Sequence, residues 1–449
     1  MIAFSGWYCL DNSTRHMRQF ATIIVSWALA LHATAQPIAQ LATAAQFLQW
    51  QNEIRRTLFI PQNLPLAPRF YGEFAPANNV KAERITYETE FGLRVPAIVY
   101  RPASAHTRLP AMVVVNGHGG DKYSWYSLYT GILYARAGAV VLTYDPIGEG
   151  ERNPERRSGT RLHDRVVNAP NYPPRLAGLM ITDVMQAVRY LRQRPDVDGT
   201  RIAVLGYSMG SFVSAITGAI DPQIDVVVLS GGGDLDGVGG YWESSGKPMC
   251  QSIPWKLLSV LGDKAAVVYA LNQRRGPTFI MNGTRDTVVD IPSHHEQPFF
   301  DELARRTEAL TNTKKNIFET YWVTGASHRP SWVTRPAALW LENKLHFPNW
   351  TTKTIDAMPE IHISAWAARN GVDMDRGYIS EDREGGVMAL GDDIPNVPRA
   401  ELNVLTESER EQQKDSLVYD AWVRHALAAD GITGTAAEKA IAAGIHKSQ

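Results

Sequence analysis

Gly206-Tyr207-Ser208-Met209-Gly210 matches G-x-S-x-G, in which a serine is held on a sharp turn between a strand and a helix. The apolar run at residues 202–206 reads as a buried strand and residues 211–220 as a helix, so the motif stands in the setting it needs. Flanking glycines are required because a side chain there would collide with the turn, which holds the serine backbone in a strained conformation. Ser208 is thereby expected at the carboxyl end of a sheet, where the helix N-terminus offers free N–H groups to a developing oxyanion. A serine hydroxyl is a weak nucleophile until an imidazole takes its proton, so a histidine is needed downstream. Gly325-Ala326-Ser327-His328 follows the last strand-like run and puts His328 on a loop within reach of Ser208. His294 and His295 open a helical stretch, and His346 and His362 lie past the sheet pattern. The imidazole in turn needs a carboxylate to fix its tautomer. Asp286, just after the strand at residues 278–282, is the first choice for that acid. Asp234, after the strand at residues 224–229, and Asp290, which could instead cap a helix, are the alternatives. The plainer reading of Asp286 is an ion pair with Arg285.

A second oxyanion donor is expected from Asn116-Gly117-His118-Gly119-Gly120, where three glycines let the backbone approach a substrate closely. The donors are expected to be the backbone N–H groups of Met209 and His118, with the His118 side chain facing the pocket mouth and Gly119 and Tyr207 against the substrate. Asp145 opens a long polar insertion through Arg175, whose charges and prolines suggest a pocket wall. Within it His163 could contact substrate, although a solvated loop histidine is the plainer reading. Trp125 and Trp332 could stack on a sugar or aryl group; most tryptophans simply fill a core. No metal site is expected, because His294-His295-Glu296 lacks the spacing that puts two imidazoles on one helix face.

The elements that must position these groups are legible as hydrophobic rhythm. Residues 84–90 and 94–101 alternate with period two around a Phe91-Gly92 turn, an antiparallel hairpin. Short apolar runs then recur at 111–115, 139–143, 202–206, 224–229, 278–282 and 317–323, as strands buried on both faces do. Between them, residues 123–137, 177–192, 211–220, 253–272, 292–308 and 336–345 are long enough for crossover helices. The pattern predicts an α/β fold: a mostly parallel, doubly wound sheet with an antiparallel N-terminal edge, binding ligands beyond the carboxyl ends of its strands. Past Pro348 the strand rhythm stops, and Thr406 and Glu409 form a T-x-x-E capping box for a helix to about Ala429. That segment is read as a helical appendix packing on the sheet, with a cap, a lid or a dimerisation element as the alternatives. The expected organisation is residues 1–35 as a signal peptide, 36–83 as a lead-in, 84–348 as the catalytic domain and 349–449 as the C-terminal extension.

Length and composition fit this picture. The 449 residues suit one large α/β domain with an extra segment, and a 44% hydrophobic, 20% charged composition can build a sizeable core. Lys+Arg 45 against Asp+Glu 46 gives a net charge of −1, which provides no global field for nucleic acid or an anionic membrane. Arg15 and Arg18, the apolar residues 20–31 and Ala33-Thr34-Ala35 follow the order of a secretory signal, with Met17 as a possible alternative start. The apolar run is too short for a membrane anchor. Cleavage after Ala35 would remove Cys9 and leave Cys250 alone, so no intramolecular disulfide is expected.

With these pieces in place, the sequence resembles bacterial α/β hydrolases of the acetylxylan-esterase and dienelactone-hydrolase-like type. The matching segments are residues 113–120, Tyr144-Asp145-Pro146-Ile147-Gly148-Glu149-Gly150, Arg194-Pro195-Asp196-Val197-Asp198, residues 206–210 and residues 325–328, within a likeness covering about residues 85–347. The resemblance implies the α/β-hydrolase fold, hydrolysis of carboxylic esters, often acyl groups on plant-wall carbohydrates, and no cofactor. A peptidase on the same fold, or a hydrolase-like scaffold that only binds, are the alternative functions. Two departures stand out: Asn116 replaces the histidine usual before the glycine of the oxyanion loop, and Ser208 stands where dienelactone hydrolases proper carry cysteine.

Overall fold

The apolar runs assemble into one sheet. Its strands are β1 (Arg69–Ala77), β2 (Val80–Glu88), β3 (Arg94–Pro102), β4 (Leu109–Val115), β5 (Val140–Tyr144), β6 (Val197–Tyr207), β7 (Val226–Ser230), β8 (Thr278–Gly283) and β9 (Glu319–Val323). This computed structural model describes residues 41–235, 241–289, 297–313, 317–374 and 385–442. The segment read as an export signal, Asp290, His294 and His295 lie outside the described residues.

Strand order is β1-β2-β3-β5-β4-β6-β7-β8-β9. The pairs from β5 through β9 are parallel, and β1, β2 and β3 extend the sheet antiparallel from β5. Every residue of β4, β5, β7 and β8 is buried, which is why these strands read as unbroken apolar runs rather than alternations. Alternation survives in where the side chains go. Val113, Leu142 and Val204 join the core beneath the helices Tyr172–Gln193, Met209–Ile220 and Lys264–Arg275. Their neighbours Met112, Val114, Val141, Ala203 and Leu205 join the opposite core, beneath the helices Trp125–Ala137 and Arg335–Leu345.

Several boundaries depart from the sequence reading for identifiable reasons. β1 was silent because it is an edge strand with little burial: Phe70 is exposed and Gly72 and Pro76 interrupt its pattern. The helix expected from residue 177 begins at Tyr172, with Pro173 in its first turn, where its fixed φ and missing N–H cost nothing. The single helix expected over 253–272 is broken at Gly262, whose φ is +78°, and restarts when the Asp263 side chain accepts from the Ala266 N–H.

The C-terminal segment is mainly helical, but it does not lie on the sheet itself. It contains a two-stranded ladder, β10 (Glu360–His362) and β11 (Met388–Leu390), and packs on the outer helices instead. Trp366 lies 6.2 Å from Trp125 and 5.2 Å from Tyr129 (ring centroids), and the Tyr129 hydroxyl donates to Leu390 O. On the other side Trp422 packs tilted against Tyr172, ring centroids 5.4 Å apart. The capping box of Thr406 and Glu409 forms, but its helix ends at Gln412 and the chain turns to bury Leu417 before Tyr419–Ala429. Among the described residues no helix is long and apolar enough to cross a membrane.

Candidate active site

Ser208 sits between β6 and the helix Met209–Ile220 with φ 53° and ψ −120°, a conformation costing about 1–3 kcal/mol that surrounding structure must impose. The imposition is steric: a Cβ on Gly206 would lie 2.2 Å from Gly210 O, and one on Gly210 would lie 2.2 Å from Val115 O. The Ser208 N–H donates to Ser230 O at 2.9 Å, fastening the turn to the carboxyl end of β7.

His328, on the loop after β9, is brought to the same place. Its ring lies 4.9 Å from that of Tyr207, whose hydroxyl donates to His328 O at 2.9 Å. A Cβ on Gly231, next to the residue that holds Ser208, would lie 2.9 Å from His328 Cε1. The Asp286 carboxylate, fully buried, accepts from His328 Nδ1 at 2.8 Å through Oδ2. Its Oδ1 accepts from the N–H groups of Val288 at 3.0 Å and Val289 at 3.2 Å, which fixes the carboxylate plane. A carboxylate can only accept, so the hydrogen sits on Nδ1 and Nε2 is left as a base. Asp234 is also buried, on the loop after β7, but it is Asp286 that holds the imidazole.

The glycine-rich loop after β4 lies against this elbow. A Cβ on Gly117 would be 2.6 Å from Tyr207 Cδ1 and 3.3 Å from Ser208 Cβ. Asn116 anchors the loop: its Nδ2 donates to Tyr144 O at 2.9 Å and its Oδ1 accepts from Ser127 Oγ at 3.0 Å. Met209 opens its helix, where the first N–H groups have no intrahelical acceptor. The backbone of the loop and the helix start therefore border Ser208 together.

Five side-chain expectations are corrected. His118 does not face the pocket mouth; its Nε2 donates to Asp164 Oδ1 at 2.7 Å and its ring lies 4.8 Å from that of His163. His163 is no solvated loop residue, being fully buried, and burial reinforced by neighbouring His118 pushes its pKa down to about 3. Trp332 is wholly inside the core with its Nε1 donating to Thr130 Oγ1 at 2.9 Å, so it cannot stack on a substrate. Trp125 is 4% exposed and packed among Tyr126, Tyr129 and Trp366, although it is among the residues lining a groove of about 390 Å³ beside Gly119 and Gly120. Tyr207, 2% exposed, supports the His328 loop rather than offering a face to ligand.

The insertion after Asp145 contributes Ser158 to the groove beside Gly119 and Gly120, but the charges nearest Asp145 point inward. Lys122 Nζ lies 2.5 Å from Asp145 and 2.9 Å from Glu151, all three sealed from solvent, and Arg152 pairs with buried Asp183. Glu151 also accepts from the N–H groups of Val404 and Leu405 at 2.9 Å, and Arg410 donates to Asn153 O and Pro154 O. These charges brace the C-terminal segment against the catalytic loops. Burial pushes Glu149 up to about 8, against the opposing pull of the Thr160 and Arg161 N–H groups that it accepts from.

Sequence reasoning missed two features. Gly385 O accepts from Ser327 N at 2.8 Å, placing the C-terminal segment directly against the histidine loop. Among the described residues, His118, His163, Asp164 and Cys250 bring one potential ligand atom each within 4.8 Å of one another, although no metal centre was expected.

Residues 47–230 match the acetyl xylan esterase family model. A putative hydrolase, YtaP, of Bacillus subtilis is 28% identical over 146 residues, which is 30% of this chain and 47% of that protein. A thiohydrolase of Arthrinium phaeospermum is 26% identical over 147 residues, 33% of this chain and 42% of that one. The chain thus spans less than half the length of these curated relatives. Among solved structures, the methylesterase BT1017 superposes with a TM-score of 0.57 at 17% identity, covering 93% of this chain and 79% of that one. The likeness extends over the C-terminal segment as well as the sheet, and at that identity it is a likeness of fold.

Proposed function

We propose that this chain, whose residues 47–230 are similar to acetyl xylan esterases, is an α/β hydrolase that cleaves carboxylic esters with Ser208 as nucleophile. Ser208 Oγ attacks the ester carbonyl while His328 Nε2 takes its proton, and Asp286 stabilises the imidazolium that results. The N–H groups of Met209 and His118 receive the oxyanion. Collapse of the tetrahedral intermediate expels the alcohol, which leaves with the proton from His328, and gives an acyl-serine. Water, deprotonated by the same imidazole, then releases the acid and restores Ser208. The observation that carries this reading is the buried Asp286–His328 pair at 2.8 Å set beside a serine in a strained turn.

The substrate we propose is a short acyl ester, on a carbohydrate or another small alcohol. Its support is the acetyl xylan esterase match. A panel of p-nitrophenyl esters of increasing chain length, acetylated and methyl-glucuronoylated sugars, and aminoacyl anilides tests it. Short acyl esters should lead by at least about tenfold in kcat/KM, worth about 1.4 kcal/mol. Preference for anilides or long chains would refute it. We also propose export, from the charge and hydropathy order of residues 15–35. Protein recovered outside the cytoplasm should begin near Gln36; an intact Met1 or Met17 on active cytosolic protein would contradict this.

A further inference from the structure

We infer that His118, His163, Asp164 and Cys250 form a zinc site that clamps the glycine-rich loop beside Ser208. The four residues come from three separate segments: the loop after β4, the turn Leu162–Asp164 and the turn Pro248–Ser252. Two imidazoles, a thiolate and a carboxylate are a nitrogen, sulfur and oxygen set that zinc accepts in tetrahedral geometry.

Three of the ligand-pair distances suit that ion, and all four ligand atoms lie within 4.8 Å of one another. Zinc ligands at about 2.0–2.3 Å from the metal stand roughly 3.3–3.8 Å from one another in a tetrahedron. Cys250 Sγ lies 3.5 Å from Asp164 Oδ1 and 3.9 Å from His118 Nε2, and His163 Nε2 lies 3.8 Å from Asp164 Oδ1. The 2.7 Å hydrogen bond between His118 Nε2 and Asp164 Oδ1 would have to open by about 1 Å to admit the ion. Lys247 Nζ lies 3.2 Å from Asp164 Oδ2, which leaves Oδ1 as the carboxylate atom turned to the cluster.

The independent pointer is His163. It is fully buried, and neither ring nitrogen has a hydrogen bond of ordinary geometry, although the Ile147 backbone acts on the ring. Leaving a buried polar group without a partner costs about 1–3 kcal/mol, a cost that a metal bond would remove. Cys250 is a buried free thiol, and binding the ion would release its proton to solvent. His118 follows Gly117, whose backbone lies against Ser208, so a metal at this cluster would fix the loop from which an oxyanion donor is drawn.

The test is metal binding by the purified full chain, stripped with chelator and titrated with zinc and, separately, with cobalt. The expected result is one tightly bound zinc per chain and, with cobalt, a tetrahedral visible spectrum and a thiolate-to-metal charge-transfer band. Cys250→Ser should abolish that band, and His163→Ala should weaken zinc binding by more than about 100-fold, beyond the loss typical of an outer-shell change. Asp164→Asn, which can keep a hydrogen bond to His118 while losing the charge, guards against misfolding and should also weaken binding. Circular dichroism checks that each variant is folded. Wild-type protein that takes up no zinc, or zinc and charge-transfer signals unchanged in folded Cys250→Ser, would overturn the inference.

Discussion

Replacing Asp286 by Asn is the substitution whose outcome follows most directly from the hydrogen bonds around it. One carboxylate oxygen accepts from His328 Nδ1 and the other from the Val288 and Val289 N–H groups. An asparagine must choose. With its oxygen toward Nδ1, the amide NH2 would face two backbone N–H groups and strand both, at about 1–3 kcal/mol each. With its oxygen toward those N–H groups, the NH2 faces Nδ1, which must then accept, so the ring proton moves to Nε2 and the base is lost. The second orientation leaves fewer donors unmet and should prevail. In triads of this kind the wrong tautomer costs about 10⁴-fold in kcat, equivalent to about 5.4 kcal/mol of transition-state stabilisation. Steady-state hydrolysis of p-nitrophenyl acetate by Asp286→Asn should therefore show kcat down by about that factor with KM little changed. Asp234→Asn should stay within about tenfold of wild type in the same assay. An Asp286→Asn enzyme retaining a tenth or more of wild-type kcat, or an Asp234→Asn enzyme that is the worse of the two, would refute the reasoning.

Lys122→Met should lower stability by about 3–5 kcal/mol in urea unfolding followed by tryptophan fluorescence, because Asp145 would be left buried without a counter-charge while Glu151 keeps only Arg156; a change below about 1 kcal/mol would count against the buried network. Glu149 binds its proton more tightly when folded, at about 8 against an ordinary 4.5, so its contribution is full below 4.5 and is lost as pH rises through 8. Thermal unfolding should accordingly show Glu149→Gln gaining on wild type between about pH 5 and 8, by at most about 5 kcal/mol, and parallel pH curves would show that burial does not hold the proton there. Gly117→Ala places a methyl against Tyr207 and Ser208 and should cut kcat well over tenfold while the circular dichroism spectrum is kept; full activity would mean that the loop stands off the elbow.

What could be read from the sequence was what is written locally. The elbow announces itself because two glycines, a serine, a buried strand and a helix fall within about twenty residues, and the central strands do so because burial on both faces leaves unbroken apolar runs. His328 and Asp286, which the structure joins by a hydrogen bond, are picked out by the same route, as residues just past strand ends. The errors come from partners distant in the chain. Glu151 looks like surface charge until Val404 and Leu405 supply its hydrogen bonds from about 250 positions away, and Trp332 and Trp125 cannot be told from ligand-facing tryptophans without the helices that cover them. His163 and Cys250 carry no spacing signal, since the turns that bring them together are set by the fold and not by a motif.

The central claim is that Ser208 is the activated nucleophile, and mass spectrometry after treatment with a fluorophosphonate reads it directly. Wild-type protein should gain one phosphonyl adduct on the peptide containing Ser208, in step with loss of esterase activity, and Ser208→Ala should gain none while remaining folded. An unlabelled, active wild type, or a Ser208→Ala enzyme with undiminished ester turnover, would contradict it.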